Sequence, residues 1–408
     1  MSMYGLLGEK LAHSFSPQIH AYLGDYPYRL FEIQPKDVHA FLLKSEFDGI
    51  NVTIPYKKTV IPYCDDLSDT AKRIGSVNTI LRRADGTLIG YNTDYAGFDA
   101  LLQRLGYDPA GKKAVVLGSG GSSVTVQAVL EAYHADPVVV ISRTGRNNYH
   151  NLFLHADASL IVNTTPVGMY PETGAAPVSL DSFPGCEAVI DIIYNPARTR
   201  LLLDAQVKGL PTVNGLPMLV AQAKTAAELF TGRPISDSHI DVITDTIRKQ
   251  TMNILLIGMP SSGKSTIGKT LAAQLNRPFV DLDTLIEERA GRGIPDIIGH
   301  DGEAAFRALE TSALEDVSKQ SGTVIAAGGG IVTVPKNLPL IRQNSVCVFL
   351  KRDLGKLSAD GRPLSLKYGV DALYKARLPL YQAWSDLTVD SNGSIAHTAK
   401  AVREALRL

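Results

Sequence analysis

Apolar runs broken by glycine set the rhythm of this chain. The stretch "KKAVVLGSGGSSVTVQAVLEAYHADPVVVISRT" reads strand, glycine turn, helix, strand, its apolar runs ending at Leu117 and Ile141. "LIVNTTPVGM" and "AVIDIIYNP" add two short apolar strands that end in polar residues. This alternation predicts a parallel sheet with helices on its faces. Residues 1–100 also mix short strands, "YGLLGE" and "FDGINVTIP", with helical segments. A fresh first strand, "NILLIG", starts at Asn253 and leads through a second glycine-rich turn into a helix. Before it, the polar "SDSHIDVITDTIRKQTMN" reads as a helix end plus a short linker.

Composition adds bounds. A length of 408 residues exceeds one typical core and predicts two or three domains. Hydrophobic content of 45% and charged content of 20% are ordinary for a globular protein. A formal net charge of zero supplies no general pull toward nucleic acid or acidic membrane, so neither is expected as a partner. Cys64, Cys186 and Cys347 match no metal or redox spacing and read as free thiols in a reducing compartment. The opening "MSMYGLLGEKLAHSFSP" has no basic segment ahead of an apolar core, and no long apolar run follows. A cytoplasmic location is the expectation.

The second glycine turn carries the sharper chemistry. Gly258, Gly263, Lys264 and Ser265 in "GMPSSGKST" fit the phosphate-binding loop pattern, directly after an apolar strand and before a helix. Backbone N–H groups there wrap phosphate oxygens, Lys264 neutralises the outer phosphates and Ser265 ligates magnesium. Ser261, Ser262 and Thr266 complete the expected ATP contacts. In "FVDLD", Asp281 and Asp283 fall on one side of an extended segment, where they can hold magnesium or orient an acceptor hydroxyl. Helix capping is the plainer job for Asp283 taken alone. "FRALE" sets Arg307 and Glu310 three apart on one helical face, as an ion pair would be. "AAGGGI" brings backbone close to something at Gly328, Gly329 and Gly330, and "GRPL" and "ARLPLY" add Arg362 and Arg377.

Together these motifs resemble shikimate kinase, over nearly all of residues 252–408. The resemblance implies a P-loop domain in which Asp283, Arg307, Gly329, Gly330 and Arg377 hold shikimate. Arg307 and Arg377 would pair with its carboxylate, and Asp283 would poise the attacking hydroxyl. Lys264, Asp283 and Arg362 are the implied catalytic groups, Arg362 in the lid over ATP; Ser265 and Asp281 are the implied magnesium ligands. The stretch "FLKRDLGKLSADGR" is shorter than the usual lid, which leaves open whether Arg352 or Lys356 meets adenine or phosphate.

The first glycine turn, "GSGGSS", also follows a strand and opens a helix, with Ser123 where a dinucleotide fingerprint has its third glycine. An NAD site would place an acidic residue at the end of the next strand; here Arg143 and Thr144 stand in "ISRT", which suits the 2′-phosphate of NADP. Upstream lie Ser14 and Ser16 in "HSFSP", Thr53 and Lys57 in "NVTIPYK", Asn78 in "GSVNTI", and Asn92 and Asp94 in "GYNTDYAG". Lysine and aspartate from separate segments can form a proton-donating pair, and a surface ion pair would read identically.

This set, with "NTTPVGM", "DIIYNP" and "NGLPMLVAQA", resembles shikimate dehydrogenase across roughly residues 3–240. By that resemblance Ser14, Ser16, Thr53, Asn78, Asp94 and Gln222 bind shikimate, and Lys57 and Asp94 are the catalytic pair. Gly118, Gly120, Gly121, Arg143 and Thr144 hold NADP, with Tyr194, Gly215 and Met218 along the nicotinamide. His13 is implied as a structural hydrogen-bonder. The implied fold is α/β throughout: a substrate-binding domain over 1–100, completed by a helix around 215–240, a Rossmann NADP-binding domain over 101–240, a linker at 241–251 and the kinase domain over 252–408. "GRNNYHNLFLHADASL" is too short for a full crossover helix after Arg143.

The implied activity is NADPH-dependent reduction of 3-dehydroshikimate followed by ATP- and magnesium-dependent phosphorylation of shikimate. Two other readings stand beside it: an NAD-using quinate/shikimate dehydrogenase joined to the kinase, and a degenerate sensing module controlling the kinase. Each half has its own motifs, so a cut before Met252 is expected to leave two folded, active proteins.

Overall fold

The computed structural model describes residues 3–11, 14–44, 46–358 and 363–408. His13 and Arg362 therefore lie outside the described residues. Contacts divide the chain into two compact units. One is Met1–Gly168, Ala175–Tyr194 and Asp204–Thr246; the other is Met169–Gly174, Asn195–Leu203 and Ile247–Leu408. None of the described helices is long and apolar enough to cross a membrane.

The first unit holds two sheets. In the first, β1 (Tyr4–Gly8), β2 (Tyr28–Glu32), β3 (Gly49–Val52), β4 (Asp66–Leu67), β5 (Thr79–Arg82) and β6 (Leu88–Tyr91) lie in the order β2-β1-β3-β5-β6-β4. Its β5 is antiparallel to both neighbours, while β2, β1 and β3 run parallel. The second sheet is wholly parallel: β7 (Ala114–Leu117), β8 (Val138–Ile141), β9 (Leu160–Asn163), β10 (Ala188–Asp191) and β11 (Thr212–Asn214), in the order β11-β10-β9-β7-β8. Its central strands are buried on both faces, which is why they read as unbroken apolar runs.

The usual dinucleotide-binding sheet runs 3-2-1-4-5-6. Here β8 is the edge, and the strand that would lie beyond it is missing among the described residues. The chain returns from β8 to β9 through a single 3₁₀ turn, Leu152–His155, in agreement with a segment too short for a crossover helix. Helix Leu216–Thr231 packs on helix Asp94–Leu105 and against Ser16–Leu23, and the Tyr4 hydroxyl donates to the Phe230 carbonyl at 2.8 Å. The late helix thus packs with elements of the first 105 residues.

The second unit contains another parallel sheet: β12 (Asn253–Ile257), β13 (Phe279–Asp281), β14 (Val324–Ala326), β15 (Ser345–Lys351) and β16 (Leu387–Asp390), ordered β13-β14-β12-β15-β16. Leu255, Ile257, Ile325, Cys347 and Phe349 pack one face, and Ile254, Leu256, Val324, Val348 and Leu350 the other. All three cysteines are free, and burial pushes the Cys64 and Cys186 thiols up to about 11, out of the reactive range.

Residues 241–251, expected as a linker, are helical: they form the body of Ser238–Thr251, which runs to within two residues of β12, and the boundary between the units falls within them, after Thr246. The helix's polar composition hides Ile243 and Ile247, four apart and both buried. Residues Asn195–Leu203 fall within the sequence of the first half, yet they belong to the second unit. There the Ala197 N–H donates to Asn344 Oδ1 at 2.8 Å, the Arg198 N–H to the Gln343 carbonyl at 2.9 Å, and Arg198 Nη2 to the Ser345 carbonyl at 2.9 Å. A fragment 252–408 lacks these partners at the start of β15. Its melting temperature is expected to fall several degrees below that of the second unit in the intact chain, at roughly 2–8 °C per kcal/mol. Equal melting temperatures in calorimetry would mean the segment contributes nothing.

Candidate active sites

In the first unit Lys57 stands in the turn after β3, and Asp94 is the first residue of helix Asp94–Leu105. The two meet: Lys57 Nζ lies 2.6 Å from Asp94 Oδ2, with side chains only 14% and 8% exposed. Such an ion pair is largely removed from solvent, unlike a surface pair. Asn78 is bonded beside it. Its Oδ1 accepts from the Thr93 N–H at 2.6 Å, and its Nδ2 donates to Thr93 Oγ1 at 3.0 Å and Gln222 Oε1 at 3.4 Å. The structure therefore brings Asn78, Asp94 and Gln222 together from three separate elements. Ser14 and Ser16 meet at the start of helix Ser16–Leu23, where Ser14 Oγ accepts from the Ser16 N–H at 3.2 Å. Thr53 follows β3, its N–H tied to the Leu7 carbonyl at 2.9 Å. Asn92 takes a helix-capping place: its Oδ1 accepts from the Tyr95 N–H at 3.1 Å.

The first glycine turn lies beside Lys57. Gly118 has φ 103°, Gly120 caps helix Gly121–Ala132, and a side chain on Gly121 would come within 3.7 Å of Lys57 Cδ. Arg143 and Thr144 are exposed just beyond β8. Tyr194 follows β10 with its ring on Phe15, centroids 5.6 Å apart. Gly215 caps helix Leu216–Thr231, where any Cβ would run into the Ile192 carbonyl. Met218 is buried in the core against helix Asp94–Leu105.

The sequence reading missed a polar chain behind these groups. Tyr28 Oη donates to Asn51 Oδ1 at 2.7 Å, and Asn51 Nδ2 donates to Thr79 Oγ1 at 3.0 Å. Thr79 in turn adjoins Asn78 and Thr93. Asn51 stands inside the quoted "INVTIP", so an interior amide in an apolar strand was the available signal.

In the second unit the phosphate loop links β12 to helix Lys264–Leu275, with Gly258 at φ 148° and Gly263 at φ 92°. Lys264 curls back over it, Nζ donating to the Gly258 carbonyl at 3.0 Å and the Met259 carbonyl at 2.8 Å. Ser265 and Thr266 are exposed on the helix's first turn, and Ser261 Oγ donates to the Ser358 carbonyl at 3.0 Å. The Ser262 hydroxyl is buried without a partner among the described residues. Capping falls to Asp281 rather than Asp283: Asp281 Oδ1 accepts from the Asp283 N–H at 3.1 Å.

Asp283 joins a cluster around the glycine loop. A Cβ on Gly328 would lie 2.5 Å from Glu310 Oε1 and 2.8 Å from Asp283 Oδ1. Arg307 Nη1 donates to Glu310 Oε2 at 2.7 Å and Nη2 to Glu303 Oε1 at 3.2 Å, and a Cβ on Gly330 would occupy the place of that guanidinium. Arg377 Nη1 donates to the Gly329 carbonyl at 3.1 Å. The Tyr381 hydroxyl, another group the sequence reading passed over, donates to the same carbonyl. Burial pushes that phenol up to about 12 and raises the fully buried Glu310 carboxyl above its ordinary range, Arg307 opposing the second shift. Arg307, Asp283, Gly329, Gly330 and Arg377 thus converge beside the phosphate loop. Its Pro260 ring would lie 2.7 Å from a Cβ on Gly329.

The comparisons with known proteins fall on the same two regions. The family model described as "Shikimate dehydrogenase substrate binding domain" matches residues 6–80, and that described as "Shikimate kinase" matches residues 260–407. A shikimate dehydrogenase (NADP(+)) of Clostridium perfringens (strain SM101 / Type A) is 37% identical over 270 residues, covering 61% of this chain and 99% of its own length. The chain belongs to the shikimate dehydrogenase family. Its later part, over residues 260–407, is a shikimate kinase domain. The corresponding enzyme of Moorella thermoacetica is 36% identical, with 57% of this chain and 88% of the relative covered.

Among solved structures, a chorismate mutase/shikimate 5-dehydrogenase fusion protein from Clostridium acetobutylicum matches with TM-score 0.58 and 33% identity, covering 61% of this chain and 98% of that one. Shikimate 5-dehydrogenase from Thermus thermophilus, in complex with NADP(H) and shikimate, matches with TM-score 0.55 and 32% identity, covering 60% and 99%.

One consequence follows for stability. Glu310→Gln leaves Arg307 partly buried with its closest counter-charge removed. Breaking such a pair from one side costs about 3 kcal/mol. Denaturant unfolding of the second unit should show that loss; an unchanged midpoint would mean that Glu303 alone suffices.

Proposed function

We propose that the chain reduces 3-dehydroshikimate to shikimate with NADPH and then phosphorylates shikimate with ATP and magnesium. The observation that carries the reading is the buried Lys57–Asp94 pair at 2.6 Å, beside the first glycine turn, in a chain whose later part matches the shikimate kinase family model. The turn suits a dinucleotide: its backbone is at φ 103° at Gly118, a helix N-terminus follows, and Gly121 places no side chain between it and Lys57. NADPH seated there supplies the hydride. Lys57 donates its proton to the substrate's carbonyl oxygen as the carbon accepts hydride, so the carbonyl becomes a hydroxyl. Asp94 fixes the ammonium in place, and the lysine regains its proton from water. Ser14, Ser16, Thr53, Asn78 and Gln222 are the neutral groups available to orient the substrate's carboxylate and hydroxyls.

In the kinase half, Arg307 and Arg377 offer the forked donors that a carboxylate takes up. Asp283 orients the hydroxyl that attacks the terminal phosphate, while Lys264 stabilises the charge on the transferring group. Ser265 and Asp281 would hold magnesium, which would supply charge to offset that on the phosphates. The location proposed is the cytoplasm.

The crosswise test uses two variants of the whole chain. Lys57→Ala should lose about 10²–10⁴-fold in reduction and keep the kinase. Lys264→Ala should lose phosphoryl transfer and keep reduction. A Lys57→Ala protein that still reduces at the normal rate would remove the lysine from the reaction, and a loss of both activities in either folded variant would end the picture of independent chemistry.

Cofactor choice is tested separately. Arg143→Ala should weaken NADPH by about tenfold or more, the loss of a charge-assisted hydrogen bond to the 2′-phosphate, while sparing NADH. Equal losses for both would count against Arg143. A quinate dehydrogenase from Corynebacterium glutamicum in complex with NAD shares 27% identity with TM-score 0.54, covering 60% of this chain and 98% of that one. Rates with quinate and NADH therefore belong in the same assay.

A further inference from the structure

We propose that Arg352 is a nucleotide-binding residue of the kinase site, its guanidinium meeting the phosphate oxygens of ATP. This rests on the kinase reading above and names a cation for it. The end of β15 lies against the phosphate loop: a Cβ on Gly258 would come 2.7 Å from the Leu350 carbonyl. Arg352 follows immediately, and its Nη1 stands 3.7 Å from where a Cβ on Gly263 would sit. The backbone on either side is pinned. The Lys351 carbonyl accepts from the Ser391 N–H at 2.8 Å and from Ser391 Oγ at 3.0 Å, and the Asp353 N–H donates to Asn392 Oδ1 at 3.0 Å. The side chain is thus delivered to the loop from a fixed base.

Its Nε is buried and donates to nothing among the described residues. An unpaired buried donor on a guanidinium is costly, and an anion in the loop relieves it. Lys356, the other basic residue in the segment, points its ammonium toward Asp353, 3.9 Å away, and is half exposed. Among the described residues of this segment, the placement favours Arg352. A planar fork beside backbone N–H groups is also suited to bidentate phosphate contact.

The experiment is titration calorimetry on the full-length protein with two probes, ADP and inorganic tripolyphosphate, which has phosphates and no base. Arg352→Gln should weaken both by about tenfold or more, and Arg352→Lys should recover part of the loss. The KM for shikimate and the rate of 3-dehydroshikimate reduction should stay put. Loss for ADP alone would put Arg352 on the base and overturn the phosphate assignment. Unchanged affinities for both probes, or the same loss from Lys356→Gln and not from Arg352→Gln, would overturn it outright. If the unaltered protein binds neither probe, it is the kinase reading that falls.

Discussion

A parallel sheet sends every following helix away from the same edge, so the N–H-rich starts of those helices gather at the carboxyl ends of the strands. Both catalytic halves are built on that constraint. β7 runs into helix Gly121–Ala132, and β12 runs into helix Lys264–Leu275. In each case the turn between them needs a residue at positive φ, Gly118 in one and Gly258 with Gly263 in the other. What differs is the group that reaches the turn. In the first unit a lysine comes from the turn after β3 of the other sheet and pairs with Asp94. In the second the lysine is the first residue of the helix itself and lies over the carbonyls of the turn.

The surroundings of Asp94 and of Gly329 are held by different physics. Around Asp94 the support is a relay of neutral amides and hydroxyls, in which Asn78 both accepts and donates and so locks the start of helix Asp94–Leu105 to β5. Each buried polar atom in that relay has its partner supplied by the next, which is what makes such a network tolerable in a core. Around Gly329 the support is ionic. Glu310 is fully buried and raised by desolvation, with Arg307 beside it and Arg377 opposing that shift. The Gly329 carbonyl takes both the Arg377 guanidinium and the Tyr381 hydroxyl. A trans peptide puts the following N–H on the opposite side, so fixing that carbonyl also fixes the direction of the Gly330 N–H.

Much of this was legible in the sequence wherever the chemistry is local. The phosphate loop is contiguous, so its pattern, its strand and its helix could be read together. Arg307 and Glu310 are three apart, and the helix alone brings them into contact. Lys57 and Asp94 were legible only as a family resemblance, since no local rule pairs residues 37 apart in sequence. Tyr28 and Asn51 were missed for the same reason, their bond being set by the β2-β1-β3 order. The full extent of helix Ser238–Thr251 was not legible because its buried face is narrow, resting on Ile243 and Ile247 amid polar residues. The placement of Asn195–Leu203 with the second unit has no local signature at all: its partners, Gln343, Asn344 and Ser345, lie far along the chain.

On the proposed reading, one small acid passes between two sites that recognise it unequally. The first offers a carboxylate the hydroxyls of Ser14 and Ser16 and the amides of Asn78 and Gln222. The second offers Arg307 and Arg377. Neutral donors hold a carboxylate more weakly than a guanidinium fork does, because the fork adds charge to two aligned hydrogen bonds. An enzyme that must release shikimate gains nothing from gripping it, since tight product binding slows turnover. One that must capture it from dilute solution gains from the charge. The Arg307 guanidinium meets that need at a cost: it must be kept partly buried, and Glu310 has to be buried with it. On that reading the buried Glu310 carboxylate is what keeps a partly buried guanidinium in place for an acid to meet.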